Sequence, residues 1–199
     1  MELYFVRCAD LVHEILDALS IALNVPAPGL RATHAQSLFQ LRLLHYPPIS
    51  RGELTQGAGR ARINAHSDFG TLTLLFQDKV GGLEIEDPHH AGVFRPVEPV
   101  DGCVLVNVGD LMARWSNERW RSSVHRVGLP ATFKEGREEE EFGGEVMVLD
   151  RYSIPFFATA DPDQIIDALP GCWDEETKPK KFEPVTAAGY VQMRMAALY

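Results

Sequence analysis

Residues 63–77 read INAHSDFGTLTLLFQ. The segment from Thr71 to Gln77 is a short, mainly apolar run with Thr71, Thr73 and Phe76 that follows a Phe69-Gly70 turn, so it reads as a strand. Just before that turn His66 and Asp68 stand two residues apart. On an extended chain, positions i and i+2 point to one face, so an imidazole and a carboxylate project side by side into the same space. That supplies two ligands of a metal site from one strand end. By itself the HxD pattern also fits a hydrogen-bonded surface pair. A third neutral nitrogen donor completes the arrangement of two His and one carboxylate that leaves positions open on ferrous iron. His125, in SSVHRV, is the best candidate.

Outward from this stretch the chain repeats the same kind of segment. Leu41 to Tyr46, Val104 to Val108 and Glu145 to Phe157 are short and β-rich, separated by Pro47-Pro48, Gly57/Gly59, Gly81-Gly82, Asp87-Pro88 and Asp101-Gly102. Regularly spaced short strands predict a sandwich or barrel, mainly β with flanking helices. One helix precedes them: Leu11, Ile15, Ala18, Leu19 and Ala22 recur at helical steps between Asp10 and Leu23, and Pro26, Pro28 and Gly29 stop it. Asp161 to Leu169 is a further short helix candidate, and Ala187 to Tyr199 reads as a closing helix. No internal repeat is present. Residues 134–144 hold five Glu, Glu135 and Glu138 to Glu141, which cannot enter a core while charged and read as a solvated loop.

A second group of polar residues lies in VMVLDRYSIPFF, residues 146–157. Arg151 and Ser153 share a strand face. A guanidinium in a β cavity demands an anion, most simply a carboxylate held by paired hydrogen bonds and helped by the serine hydroxyl. The alternative is an Arg paired with a neighbouring Asp or Glu. By parity Asn64 and Phe157 join His66 and Arg151 as cavity candidates, and Phe69 sits beside the metal pair. These three are the tentative substrate residues. Of the other histidines, His13 lies on the first helix, His34 in a loop, His89 and His90 after an exposed turn, and His45 on a strand next to Tyr46. Trp115, Trp120 and Trp173 read as packing residues.

Composition narrows the function classes. The chain has 199 residues, one domain's worth, and 45% hydrophobic with 24% charged residues excludes disorder. Nineteen Lys and Arg against 28 Asp and Glu give a net charge of -9, which repels phosphate backbones and anionic lipid. No nucleic acid or membrane partner is expected, and no apolar run approaches a membrane span. Cys8, Cys103 and Cys172 lack any CxxC spacing, so a disulfide framework is not expected and a cytoplasmic location is.

Together HSDFGTLTLLFQD, GGLEIEDP, VNVGDLMARWSN, RSSVHRV and RYSIPFF resemble the isopenicillin N synthase-like branch of the Fe(II)/2-oxoglutarate-dependent oxygenases. The likeness runs from about Leu11 to Tyr199. It implies a double-stranded β-helix, or jelly roll, with helices packed outside. It implies further that His66, Asp68 and His125 ligate Fe(II), and that Arg151 and Ser153 bind the distal carboxylate of 2-oxoglutarate. Tyr46, in LRLLHYPP, matches a family tyrosine that hydrogen-bonds the same carboxylate. The implied activity is oxidation of a small organic molecule with O2, with succinate and CO2 as coproducts and ascorbate as a candidate reductant. Neutral imidazoles are needed for such a centre, so activity should fall toward the histidine pKa.

Three departures from the family pattern stand out. Leu44 occupies the place of a common Asn two residues before the tyrosine. His125 and Arg151 are 26 residues apart, longer than usual, with residues 134–144 as an acidic insertion. The chain is expected to be a single catalytic domain, residues 1–199, without the module that members carry at the amino end. Rival readings are a 2-oxoglutarate-independent oxidase in which Arg151 and Ser153 hold the substrate's own carboxylate, and a noncatalytic jelly-roll binding protein. A nucleic-acid demethylase is disfavoured by the charge, and a zinc hydrolase leaves the buried Arg without an anion.

Overall fold

A computed structural model describes residues 1–36, 38–55, 61–134, 140–142 and 145–197. Helix α1 (Glu2–Ala22) leads through a 3-10 turn (Leu30–His34) into β1 (Gln40–Leu41), β2 (Leu44–Tyr46), β3 (Ile49–Ser50) and the short helix α2 (Arg51–Thr55). Strands β4 (Ile63–His66), β5 (Leu72–Gln77), β6 (Leu83–Glu86), β7 (Phe94–Pro96) and β8 (Leu105–Val108) follow, then α3 (Asp110–Trp115). Next come β9 (His125–Val127), α4 (Ala131–Lys134), β10 (Glu140–Phe142), β11 (Glu145–Val148) and β12 (Arg151–Ala158). The chain continues into β13 (Ile165–Ile166), β14 (Val185–Thr186) and α5 (Ala187–Ala196).

Two antiparallel sheets form the body. One runs β1-β12-β5-β8 with β2 also paired to β12, and the other runs β4-β9-β6-β7. They enclose a cavity, which makes the fold a double-stranded β-helix as the motif order implied. Strand periodicity explains how one sheet serves two environments. Arg151, Ser153, Pro155 and Phe157 of β12 face the cavity, while Phe156 and Ala158 are fully buried on the other side, toward α1. Phe156 meets Phe5 of α1 at 5.0 Å between ring centroids, and Phe76 meets Tyr4 at 5.3 Å. Full burial of a side chain such as Phe156 contributes roughly 1.5–3 kcal/mol, and the half-buried Phe5, Phe76 and Tyr4 less.

Four expectations are corrected. Helix α1 starts at Glu2 rather than Asp10, and its buried row is Cys8, Val12, Leu16 and Ser20, with Leu11, Ile15 and Leu19 flanking and Ala18 and Ala22 exposed. The stripe is rotated because the residues before Asp10 pack on the sheet as well. Glu145 to Phe157 is not one strand. At Leu149-Asp150 the chain leaves the small sheet β10-β11-β3 and turns the corner into the main sheet. Asp161 to Leu169 is not helical: the Asp161 carboxylate accepts from the Ala35 and Gln36 backbone N–H groups at 3.0 Å, and Ile165-Ile166 pair with β14. Most of the acidic segment, residues 135–139 and 143–144, lies outside the described residues.

His34 is the fourth correction, a core residue rather than a loop residue. It is completely buried, its Nδ1 donates to the Leu30 carbonyl at 3.1 Å, and its Nε2 accepts from the Thr71 hydroxyl at 2.9 Å. It thereby ties the segment after α1 to the start of β5. Burial pulls its pKa down to about 4. Between pH 6.5 and 4 the unfolded chain binds a proton there that the folded chain refuses, so stability falls as pH falls through this window, by up to about 3 kcal/mol. Urea unfolding from pH 7 to 4.5 should show a shallower decline for His34→Gln than for the wild type; parallel declines would refute the assignment.

Candidate metal centre and carboxylate pocket

The cavity between the sheets measures about 110 Å3. Its walls are largely apolar, with Ile63, Leu83, Ile85 and Val127 from one sheet and Leu75 and Leu105 from the other. Against this background its polar side chains stand in two groups.

The first group is His66, Asp68 and His125, each able to offer one ligand atom, with those atoms all within 4.8 Å of one another. His66 and His125 are direct partners across β4 and β9, and their ring centroids are 4.4 Å apart. Each ring is locked by a bond two residues back along its own chain: Nδ1 of His66 donates to the Asn64 carbonyl at 2.8 Å, and Nδ1 of His125 to the Ser123 carbonyl at 2.9 Å. A carbonyl only accepts, so Nδ1 carries the proton and Nε2 keeps its lone pair for a metal. Asp68 is 7% exposed. Its Oδ2 accepts from the Thr73 hydroxyl at 2.6 Å and the Asn107 amide at 2.8 Å, while Oδ1 lies 4.0 Å from Nε2 of His125. One oxygen is anchored and the other is turned toward the two imidazoles. The donor set fits a divalent ion such as Fe(II), two neutral nitrogens and one carboxylate oxygen on one side of it.

The second group is Arg151, Ser153 and Tyr46. Arg151 is 1% exposed. Nη1 donates to Ser153 Oγ at 3.1 Å, Nη2 to Gln77 Oε1 at 2.8 Å, and Nε has no hydrogen-bond partner among the described residues. Tyr46, its partner in the β2-β12 register, places its ring 5.1 Å from the guanidinium carbon. Among the described residues no carboxylate forms a salt bridge with Arg151, and burial pushes its pKa below the usual arginine range. Arg62 adds a second positive charge nearby. Asp78 offsets part of this charge from a distance, its oxygens taken by the Val80 and Tyr152 backbone N–H groups. A buried cation with no carboxylate bonded to it is costly, so this end of the cavity fits a ligand carboxylate.

The tentative substrate residues divide. Phe157 lines the cavity, and Arg42 stacks over it at 5.2 Å. Asn64 does not line it. Between Ile63 and His66 strand β4 carries one residue more than β9, and this bulge turns Ile63 rather than Asn64 to the side of His66, leaving Asn64 exposed. Phe69 packs outside, under the Arg194 guanidinium at 4.8 Å. Leu44 lines the cavity where the family pattern has a polar side chain. Motif reading does not single out Thr73, Gln77 and Asn107, the partners of Asp68 and Arg151. A signal for two of them is present all the same: Thr73 and Asn107 are polar residues at inward positions of apolar strands.

The chain matches the model of the 2OG-Fe(II) oxygenase superfamily over residues 37–160. It belongs to that superfamily. The chain is 40% identical to the 2-oxoglutarate-dependent dioxygenase htyE of Aspergillus rugulosus, with all of the chain matched against 58% of that protein. It is 40% identical to the proline hydroxylase buaE of Petromyces alliaceus, again over its whole length and 59% of the relative. A full-length Neurospora crassa protein, crystallised in complex with alpha-KG and thymine, superposes with a TM-score of 0.83 at 33% identity, covering 100% of this chain and 56% of that one. The chain therefore spans little more than half the length of these three proteins.

In this superfamily member the anchoring of Asp68 decides which oxygen is free. Replacing Asn107 by Leu, or Thr73 by Val, lets the carboxylate rotate and should weaken Mn(II) binding roughly 10- to 100-fold by calorimetry. Unchanged affinity in both variants would show that these bonds do not orient the ligand.

Proposed function

We propose that this chain is the catalytic core of an Fe(II)- and 2-oxoglutarate-dependent dioxygenase that oxidises a small organic molecule and releases succinate and CO2. His66, Asp68 and His125 hold the iron; Arg151, Ser153 and Tyr46 receive the distal carboxylate of 2-oxoglutarate. The observation that carries this reading is the pairing, inside one cavity, of a carboxylate-and-two-imidazole cluster with a buried arginine that makes no salt bridge to a carboxylate among the described residues. Bound iron supplies the oxygen chemistry. The protein's own residues hold the cosubstrate by one end, fix both imidazoles through their Nδ1 bonds in the orientation that turns Nε2 toward the metal site, and line the remaining space with apolar side chains that exclude water.

Phe157 and the Arg42 guanidinium stacked on it form the wall on which the substrate rests, which favours a compact molecule with a flat or apolar face. Relatives named as dioxygenases and a proline hydroxylase, and a neighbour crystallised with thymine, support a small-molecule substrate. The order of the HxD, distal His and RxS motifs supports assignment to the isopenicillin N synthase-like branch, with residues 134–144 as an insertion in a single catalytic domain. Free Cys8, Cys103 and Cys172 suit a reducing compartment such as the cytoplasm.

Anaerobic addition of Fe(II) and then 2-oxoglutarate should produce the visible charge-transfer band of a bidentate complex. Asp68→Ala should abolish iron retention, whereas Arg151→Ala should retain iron and weaken 2-oxoglutarate roughly 30-fold or more. Under air, 2-oxoglutarate should be converted to succinate. Equal cosubstrate affinity in Arg151→Ala, or oxygen consumption without succinate, would overturn the proposal, the latter in favour of a 2-oxoglutarate-independent oxidase.

A further inference from the structure

The C-terminal helix reaches the loop that carries Asp68 through one guanidinium. Arg194 on α5 donates from Nη1 to Asp110 Oδ2 and to the Tyr190 hydroxyl at 3.2 Å, and from Nη2 to Ser67 Oγ at 3.4 Å. Its guanidinium carbon lies over the Phe69 ring. Asp110, 6% exposed at the start of α3, also accepts from the Tyr190 hydroxyl at 2.9 Å. The backbone of the same segment grips the loop: the Asp110 N–H donates to the Asp68 carbonyl at 2.8 Å, and the Leu111 N–H to the Gly70 carbonyl at 3.0 Å. The approach is so close that a Cβ on Gly109 would stand 2.3 Å from the Gly70 carbonyl oxygen and 3.0 Å from that of Asp68.

We propose that Arg194 is a positioning residue for the metal centre: by neutralising Asp110 and bearing on Ser67 and Phe69, it fixes the backbone from which Asp68 projects, and so couples docking of α5 to retention of the divalent ion. The inference rests on the reading of His66, Asp68 and His125 as metal ligands. Without Arg194 the buried Asp110 carboxylate lacks a counter-ion and must turn toward water, drawing with it the α3 N–H that holds the Asp68 carbonyl. Coupling of this kind is reciprocal, so the ion tightens the seat of α5 to the degree that α5 tightens the ion.

The test is a Co(II) titration of the wild type, Arg194→Met, Arg194→Lys and Asp68→Ala, followed through the visible Co(II) band, together with hydrogen exchange of α5 in the wild type with and without Co(II). Arg194→Met is expected to weaken Co(II) about tenfold. Arg194→Lys, which restores the charge but not both ends of the bridge, should fall between. Wild-type α5 amides should exchange more slowly when Co(II) is bound. Wild-type Co(II) affinity in Arg194→Met overturns the proposal, as does α5 exchange indifferent to the ion. Should Arg194→Met fail to fold, wild-type affinity in Arg194→Lys together with indifferent α5 exchange overturns it equally. Retention of Co(II) by Asp68→Ala would instead sink the ligand assignment beneath it, whereas loss of Co(II) there with none in the Arg194 variants would sink only the coupling.

Discussion

The carboxylate of Asp68 is the point at which polar side chains of the two sheets converge. Thr73 and Asn107 secure one of its oxygens from β5 and β8, and the other faces His125, which belongs to the opposite sheet. The two histidines come as a directly opposed pair on β4 and β9, so their separation is set by the sheet ladder itself. Two kinds of constraint therefore meet in a space a few ångströms across: backbone pairing places the imidazoles, and side-chain hydrogen bonds place the acid. An ion bound there bridges the sheets, and the cavity beyond it takes its shape from their spacing.

The opposite end of the cavity is governed by charge. The chain as a whole is acidic, at -9, yet the most deeply buried charged side chain in the pocket is Arg151, held by Ser153 and Gln77 with no acid bonded to it among the described residues. Neutral oxygens orient the guanidinium without neutralising it. That is a poor arrangement for stability and a good one for binding a carboxylate, because a ligand anion relieves the unfavourable burial that folding left behind. Net charge and local charge point in different directions: the chain as a whole is acidic, while this end of the pocket is cationic.

The chemistry-bearing side chains are more legible in the sequence than their supports. His66 and Asp68 share a motif, and Arg151 and Ser153 alternate on a strand, so local periodicity brings each pair together before any tertiary contact is known. Asn64 is misplaced by period-two reasoning, which assumes an unbroken strand, because a single extra residue in β4 inverts the parity. His34 reads as a loop residue because its partner, Thr71, lies 37 positions away. Arg194 is harder still. Its contact with Ser67 spans 127 positions, and nothing in the composition of α5 distinguishes it from a surface arginine. The helical pattern of α1, taken from Asp10 onward, misses the buried face because the amino-terminal third of the helix helps to set it.

One cavity carries the proposed metal site at one end and the proposed carboxylate site at the other, and diffraction can observe both at once. Crystals of the protein grown anaerobically with Fe(II) and 2-oxoglutarate should give an anomalous iron peak bonded to Nε2 of His66, Nε2 of His125 and Oδ1 of Asp68, with the distal carboxylate of 2-oxoglutarate on Arg151 and Ser153. An iron peak bound elsewhere, or density in which Arg151 is satisfied by a protein acid while 2-oxoglutarate lies outside the cavity, would contradict it.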